Sequence, residues 1–111
     1  MNFNFFLSLD SIESHYAFYP VGGHYSAHRD RLRNDDARLI SVVFYLNDHW
    51  DTSDGGQLIL YPEHQETLEI FPKANRMVIF DSQILHEVII TKQPRYSIAS
   101  WLKIRPQTET F

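Results

Sequence analysis

The stretch LISVVFYL at residues 39–46 is apolar on both of its alternating faces, which is typical of a central β-strand that is covered on both faces of its sheet. Other short apolar runs follow about every ten residues and end at turn signals rich in Pro, Gly or Asp. They predict further strands at residues 15–19, 24–30, 57–61, 67–71, 76–80, 85–91 and 95–104. This spacing predicts a mainly β protein with a sandwich or jelly-roll core. One short helix is expected near the N-terminus, around residues 5–14.

The composition is that of one globular domain, and it excludes several functions. Hydrophobic residues make up 43% of the 111 residues and charged residues 22%, so disorder is not predicted. The formal net charge of −4 argues against a nucleic-acid partner, because that binding depends mainly on Lys and Arg. The absence of Cys excludes disulfides and zinc-thiolate sites. Residues 1–10 lack the pattern of a signal peptide or membrane span, so no membrane partner is predicted and the cytoplasm is the expected compartment.

The first residues with chemical content are His28 and Asp30, in the sequence HRD. On a strand, residues i and i+2 point to one face, so the imidazole and the carboxylate converge while Arg29 points away. One further imidazole would complete a 2-His-1-carboxylate triad, which holds Fe(II) and leaves coordination positions open. Alone the motif is weak, because a polar strand end with a solvated ion pair has the same pattern.

Two histidines compete to be the third ligand. His24 shares the strand parity of the HRD pair, whereas His86 follows a tight turn and opens an apolar run. The residues alone do not decide between them, since each has a simpler interpretation as a hydrogen-bonded histidine. The remaining histidines adjoin turn or loop signals and are expected to be solvated: His15, His49 and His64.

The last predicted strand carries a possible anion site. By alternation, Arg95, Ser97, Ala99 and Trp101 share one face of it. A guanidinium that faces inward needs an anionic partner, because an unpaired buried charge is costly, and the two small residues leave space for a ligand. The alternative is a structural Asp or Glu partner for Arg95.

Four segments, in this order, make the chain resemble the prolyl 4-hydroxylase and SM-20-like branch of the Fe(II)/2-oxoglutarate oxygenases. They are FYPVGGHYSAHRD (18–30), ARLISVVFYLNDHW (37–50), DGGQLILYP (54–62) and FDSQILHEVIITKQPRYSIASW (80–101). The resemblance implies a double-stranded β-helix core of the jelly-roll or cupin-like type. It also implies Fe(II), 2-oxoglutarate and O₂ as cofactor and cosubstrates, and it leaves a need for ascorbate open. The implied reaction hydroxylates a C–H bond, first of all in a prolyl residue of a protein or peptide substrate, with succinate and CO₂ as coproducts.

The resemblance also assigns roles to individual residues. The iron ligands would be His28, Asp30 and His86, which decides against His24. Arg95 would bind the distal carboxylate of 2-oxoglutarate. The positions that line the cosubstrate pocket in relatives are Tyr19, Tyr45, Leu58 and Trp101, with Tyr25 in or beside it. Two positions are candidate substrate contacts, Arg38 near the entrance and Trp50 in the loop at residues 47–56.

The resemblance implies one departure and leaves alternatives. Relatives have a further N-terminal region that buttresses the sheet, so residues 1–111 are expected to be a single dioxygenase domain without it. The competing functions are a non-catalytic metal-binding β-helix module, a zinc or manganese cupin-like isomerase, and an oxygenase that acts on a small molecule. An intact ligand triad together with Arg95 favours the dioxygenase, because the isomerase leaves Arg95 unexplained.

Overall fold

The computed structural model describes residues 9–31 and 37–104, and these form two antiparallel four-stranded sheets. The strands are β1 (Leu9–Tyr19), β2 (Tyr25–His28), β3 (Arg38–Tyr45), β4 (Leu58–Tyr61), β5 (Leu68–Ile70), β6 (Met77–Asp81), β7 (Leu85–Val88) and β8 (Arg95–Ile104), with a 3₁₀ helix (Thr52–Asp54) between β3 and β4. The first sheet has the order β1-β8-β3-β6 and the second β2-β7-β4-β5. Strands distant in sequence are therefore neighbours in each sheet, as in the predicted jelly-roll core.

Every predicted strand is present, and the largest difference lies at β1. The helix expected around residues 5–14 is wrong for residues 9–14, which belong to β1, while residues 5–8 lie outside the described part of the chain. β1 pairs with β8 along its length, from Leu9 opposite Ile104 to Tyr19 opposite Arg95. This pairing satisfies the backbone hydrogen bonds of residues 9–14 through partners near the other end of the chain, from Ile104 to Ser100, which the local pattern does not reveal.

The hydrophobic core lies between the two sheets. Its buried cluster consists of Leu58 and Leu60 from β4, Phe80 from β6 and Val88 from β7. Large apolar side chains from facing strands exclude water there, and this burial is the main stabilising contribution to a small domain. The packing of this cluster also fixes the distance between the two sheets. The candidate site lies in the space between them.

The stretch at residues 39–46 forms β3, which is an interior strand between β8 and β6, as predicted. Coverage on both faces is not found among the described residues. The side chains of Ser41 and Tyr45 are buried between the sheets. On the outer face, neighbouring β6 exposes 64% of Ile79 and 55% of Met77. The outer face of the first sheet is thus apolar but exposed in the described part of the chain.

Within residues 9–31 and 37–104, no helix has the length and apolarity needed to cross a membrane.

Leu60 and Leu68 allow a matched test of this core. They lie opposite each other on β4 and β5, yet Leu60 is 4% exposed and Leu68 is 52% exposed. We expect Leu60→Ala to lower the free energy of unfolding by about 2–5 kcal/mol, because it leaves a cavity in the core. The same truncation at Leu68 should cost less than about 1 kcal/mol. Urea unfolding followed by tryptophan fluorescence measures both, and equal losses would contradict the assigned core.

Candidate functional site

One cavity of about 190 Å³ lies between the two sheets and holds both predicted groups of site residues. At one end are the side chains of His28, Asp30 and His86, and at the other is Arg95. Strands of both sheets contribute to its wall, so the cavity exists only when the two sheets pack together. It is the counterpart of the ligand pockets that form inside small β-barrels and sandwiches.

The two histidines and the aspartate converge at a single point. His28 ends β2 and lies directly opposite His86 of β7, and Asp30 follows two residues later. The ligand atoms of the three side chains lie within 4.8 Å of one another. Each histidine Nδ1 lies 2.8–2.9 Å from a backbone carbonyl, of Ser26 or Ile84. Nδ1–H therefore donates to the carbonyl, and Nε2 is left as the nitrogen that can bind a metal.

Asp30 presents its two oxygens to different partners. Oδ1 lies 3.3 Å from Nε2 of both His28 and His86. Oδ2 accepts hydrogen bonds from Ser41 Oγ at 2.6 Å and from Trp101 Nε1 at 2.9 Å. Burial raises the pKa of Asp30, but the hydrogen bonds from these four side chains outweigh it and hold the pKa far below its usual range. The carboxylate is therefore ionised inside the protein.

The charge of Asp30 also affects His28. Burial lowers the pKa of His28, but its hydrogen bonds with Asp30 and the Ser26 carbonyl outweigh that effect, so the net shift is upward. The site thus favours a positive charge between the carboxylate and the imidazoles. A divalent cation supplies that charge in place of a proton and suits a ligand set of two imidazoles and one carboxylate.

A second group of contacts fixes Trp101 at the mouth of the cavity. The guanidinium carbon of Arg38 lies 3.8 Å from the centre of the indole ring, and His15 packs edge-on against the same ring. Arg38 Nη2 also pairs with Glu13 Oε2 at 3.2 Å. Hydrogen bonds from His15 and Arg38 lower the pKa of Glu13 to about 2. The indole that donates to Asp30 is therefore held by an ion pair on β1 and β3.

The other end of the cavity is built around a buried cation. Arg95 is 3% exposed, and its Nε donates to the Gly56 carbonyl at 2.7 Å. Its Nη2 lies 3.5 Å from Tyr45 Oη, and the ring of Tyr19 is 5.0 Å from its guanidinium carbon. Within residues 9–31 and 37–104, no carboxylate forms an ion pair with Arg95, so the structural Asp or Glu partner considered above is not found there. The geometry leaves the guanidinium able to bind an anion in the cavity.

The structure gathers most of the predicted site residues around this cavity. Besides the metal group and Arg95, it is lined by Tyr19, Tyr25, Tyr45, Leu58, Ser97, Ala99 and Trp101. Tyr25 stacks on the ring of His28 with 3.9 Å between ring centres. His24, the rival ligand, is exposed and is not part of the metal-binding group.

The two candidate substrate contacts lie in different places. Arg38 lines a shallow pocket at the cavity mouth together with His28 and Asp30. Trp50 lines a separate surface pocket, and its Nε1 donates to the Gly55 carbonyl at 2.9 Å. That contact anchors the loop after β3. The substrate roles of Arg38 and Trp50 stay predictions.

Sequence reasoning missed several residues of the site. Ser41 was visible as the one polar residue in the apolar stretch at residues 39–46, but its contact with Asp30 was not. The local sequence gives no sign that Gly56 belongs to the site, yet its carbonyl accepts the hydrogen bond of Arg95. Its φ of 68° and the close approach of Trp50 still require glycine there. His15 is exposed on β1, as expected for a solvated histidine on a strand, but it also lies at the cavity mouth, which the local sequence does not indicate.

Known proteins are similar to this chain in sequence and in fold. Residues 14–103 match the family described as the 2OG-Fe(II) oxygenase superfamily. The chain is 40% identical over 90 residues to hypoxia-inducible factor prolyl hydroxylase of Caenorhabditis elegans, covering 77% of this chain and 12% of the relative. It is 37% identical over 90 residues to Egl nine homolog 1 of Homo sapiens, covering 77% and 21%.

Solved structures agree with the sequence relatives. The crystal structure of a Pseudomonas putida prolyl-4-hydroxylase aligns with a TM-score of 0.86 at 39% identity, covering 91% of this chain and 57% of that one. A Trichoplax adhaerens prolyl hydroxylase, in complex with a peptide fragment of the hypoxia inducible factor oxygen degradation domain, aligns with a TM-score of 0.80 at 33% identity, covering 86% and 46%. The chain therefore spans only part of the length of each of these proteins.

The assignment of His86 over His24 can be tested by metal binding. We expect His86→Ala to weaken Mn(II) binding by about 100-fold or more, because one of three converging ligands is lost. His24→Ala is the matched control and should change the affinity by less than about twofold. Anaerobic calorimetric titration with Mn(II) measures both variants. An equal loss in the two would place the third ligand elsewhere.

Proposed function

The chain belongs to the 2OG-Fe(II) oxygenase superfamily, and from that premise we propose that it is a dioxygenase that hydroxylates a C–H bond of its substrate. The reaction consumes 2-oxoglutarate and O₂ at an Fe(II) site and releases succinate and CO₂. The observation that carries the proposal is one cavity with His28, Asp30 and His86 at one end and the buried guanidinium of Arg95 at the other.

The metal group fits Fe(II). Two Nε2 atoms and Asp30 Oδ1 face one point, and three protein ligands leave three coordination positions for cosubstrates. Bound iron together with 2-oxoglutarate supplies the activation of O₂ that the protein side chains cannot provide. The contribution of the chain is to fix the ligand orientation through the backbone carbonyls that hold each histidine Nδ1–H.

Arg95 fits the distal carboxylate of 2-oxoglutarate. A guanidinium bound only by the Gly56 carbonyl and the Tyr45 hydroxyl has donors to offer, and a carboxylate accepts two of them in parallel. The small side chains of Ser97 and Ala99 lie on the same strand face between Arg95 and Trp101 and leave room for the rest of the cosubstrate. Tyr19, Tyr45 and Leu58 are its proposed neighbours, and Trp101 borders it at the metal end.

The remaining wall of the cavity excludes water. Leu58, Phe80 and Val88 belong to the buried core and also line the cavity. Apolar walls protect a reactive oxidant from water and strengthen the electrostatic contacts made by Asp30 and Arg95. The same core that stabilises the fold therefore also shields the reaction.

A prolyl residue in a flexible protein segment is the proposed substrate. The pocket at the mouth is lined by aromatic and basic side chains beside the metal group: His15, Tyr25, His28, Arg29, Arg38 and Trp101. An extended polypeptide fits such an open pocket better than a buried small molecule does. The names of the relatives, and the peptide bound to the Trichoplax adhaerens protein, support a protein or peptide partner.

Further parts of the proposal concern the surroundings of the site. Of the two candidate substrate contacts, Arg38 lies at the mouth and Trp50 would be reached only by a segment that extends to the loop after β3. Residues 32–36, between the HRD motif and β3, lie outside the described residues. We also propose that residues 1–111 act as one domain and that the reaction takes place in the cytoplasm, with neither nucleic acid nor membrane as a partner.

The proposal is tested by product analysis. Protein loaded with Fe(II) is incubated with a cell lysate, 2-oxoglutarate and O₂, with and without ascorbate, and modifications of +16 Da are mapped by mass spectrometry. Hydroxylated prolines that disappear with Asp30→Ala support it. If only small molecules were modified, the substrate would be a small molecule and not a protein. If no succinate formed, the chain would be a non-catalytic binding module.

Arg95→Ala should weaken 2-oxoglutarate binding by roughly 2–4 kcal/mol, because a charge-assisted bidentate contact in a dry pocket is lost. Anaerobic titration of the Fe(II) protein, followed by the visible charge-transfer band, measures the change. Metal affinity should stay nearly constant. Arg76→Ala, the same change at an exposed position, is the control and should bind like the parent. If Arg95→Ala binds within about threefold of the parent, the cosubstrate pocket lies elsewhere.

A further inference from the structure

Two buried hydroxyls next to the metal group have no role in the proposed reaction. Ser41 is 1% exposed and Ser82 is 0% exposed. Ser41 lies in the middle of the apolar strand β3, and Ser82 follows the end of β6, which pairs with β3. A buried hydroxyl costs free energy unless it is hydrogen-bonded, so the contacts of this pair are what make serine acceptable there.

The hydrogen bonds of the pair have one direction. An ionised carboxylate can only accept, so Ser41 Oγ donates its single hydrogen to Asp30 Oδ2 at 2.6 Å. Ser41 and Ser82 are 2.8 Å apart between their Oγ atoms. Because the hydrogen of Ser41 is already used, Ser82 must be the donor of this second bond. The chain therefore runs from Ser82 to Ser41 to Asp30, and each bond polarises the next.

The chain ends on only one of the two oxygens of Asp30. Oδ2 receives the hydrogen bonds of Ser41 and Trp101, and Oδ1 faces both histidines. The terminal torsion of an aspartate is broad and nearly two-fold, so the side chain alone does not fix the carboxylate plane. The two donors on Oδ2 decide which oxygen is left for a metal.

We propose that Ser41, supported by Ser82, is a positioning residue that restricts Asp30 to binding the metal through Oδ1 alone. The inference rests on the proposed function. With one carboxylate oxygen and two imidazoles bound, three coordination positions remain, enough for two oxygens of 2-oxoglutarate and for O₂. A carboxylate that turned to bind through both oxygens would occupy one of these positions and weaken the cosubstrate complex.

Substitutions that remove single hydroxyls test the inference. In Ser41→Ala the metal affinity should stay within about threefold of the parent, while 2-oxoglutarate affinity of the Fe(II) protein falls about tenfold or more. Ser41→Thr keeps the hydroxyl and should bind 2-oxoglutarate within about threefold of the parent. Ser82→Ala, which does not touch Asp30, should shift the affinity in the same direction by less. Anaerobic titration of the charge-transfer band and calorimetry with Mn(II) give these values.

A matched control comes from a second serine pair in the same sheet. Ser14 Oγ and Ser100 Oγ are 2.9 Å apart, and Ser14 is exposed. Ser14→Ala removes a similar hydroxyl contact on the face of the sheet that points away from the cavity, and it should leave all affinities unchanged. If Ser41→Ala binds 2-oxoglutarate like the parent, or loses metal and 2-oxoglutarate affinity in parallel, the positioning role is overturned. If Ser41→Ala does not fold, the 2-oxoglutarate affinity of Ser82→Ala decides instead. A lower affinity supports the positioning role, and an unchanged affinity overturns it.

Metal binding alone separates this inference from the proposed function. The relaxation of water protons by bound Mn(II) depends on the number of metal-bound waters, and that number should fall from about three to about two in Ser41→Ala. If the parent does not bind 2-oxoglutarate, the proposed function fails, but a lower relaxation in Ser41→Ala still supports the positioning role. Unchanged relaxation overturns it.

Discussion

The burial of an ionised carboxylate between two sheets is the constraint on which the rest of the site depends. Asp30 is removed from water, and a charge in that position is tolerated only when hydrogen bonds and opposite charge replace its hydration. Two imidazoles, a serine and an indole provide that replacement. They come from β2, β7, β3 and β8, so the carboxylate requires strands of both sheets to be in place. The site therefore forms only when the two sheets pack together.

Arg95 is the second buried charge, and unlike Asp30 it has no oppositely charged partner among the described residues. Asp30 contacts four polar side chains, two through hydrogen bonds and two as ion pairs with histidines. The guanidinium has a carbonyl, a hydroxyl and two aromatic rings but no carboxylate among the described residues. Burial lowers its pKa, although Tyr45 and Tyr19 partly offset that effect. An arginine held in this condition is poorly compensated until an anion binds. The buried guanidinium lowers the stability of the fold at this end of the cavity. An anionic cosubstrate that pairs with it there would gain affinity for the same reason.

The network at the mouth connects the surface to the metal group. Glu13 holds Arg38, Arg38 covers the indole of Trp101, and Trp101 donates to Asp30. Only the last of these contacts is buried enough to be strong, since the Glu13–Arg38 pair is partly exposed and screened. The main effect of the Glu13–Arg38 pair is to fix the orientation of the Trp101 indole. A substrate segment that contacts Arg38 would thus be connected through Arg38 to Trp101, whose indole donates a hydrogen bond to the proposed metal ligand Asp30.

The sequence by itself determined the strands and the local part of the site. Short apolar runs between turn signals predicted all the described strands, although only residues 15–19 of β1, and the parity of His28 and Asp30 put both side chains on one face, because these are effects of neighbouring residues. The family was recognisable because its motifs occur in a fixed order. Only the tertiary structure decided the rest. The pairing of β2 with β7 gives the physical reason for His86, which the family resemblance already favoured over His24. Pairing with β8 turns residues 9–14 into a strand, and the approach of β3 brings Ser41 to Asp30. Each of these depends on register between segments far apart in the chain, which a local pattern cannot encode.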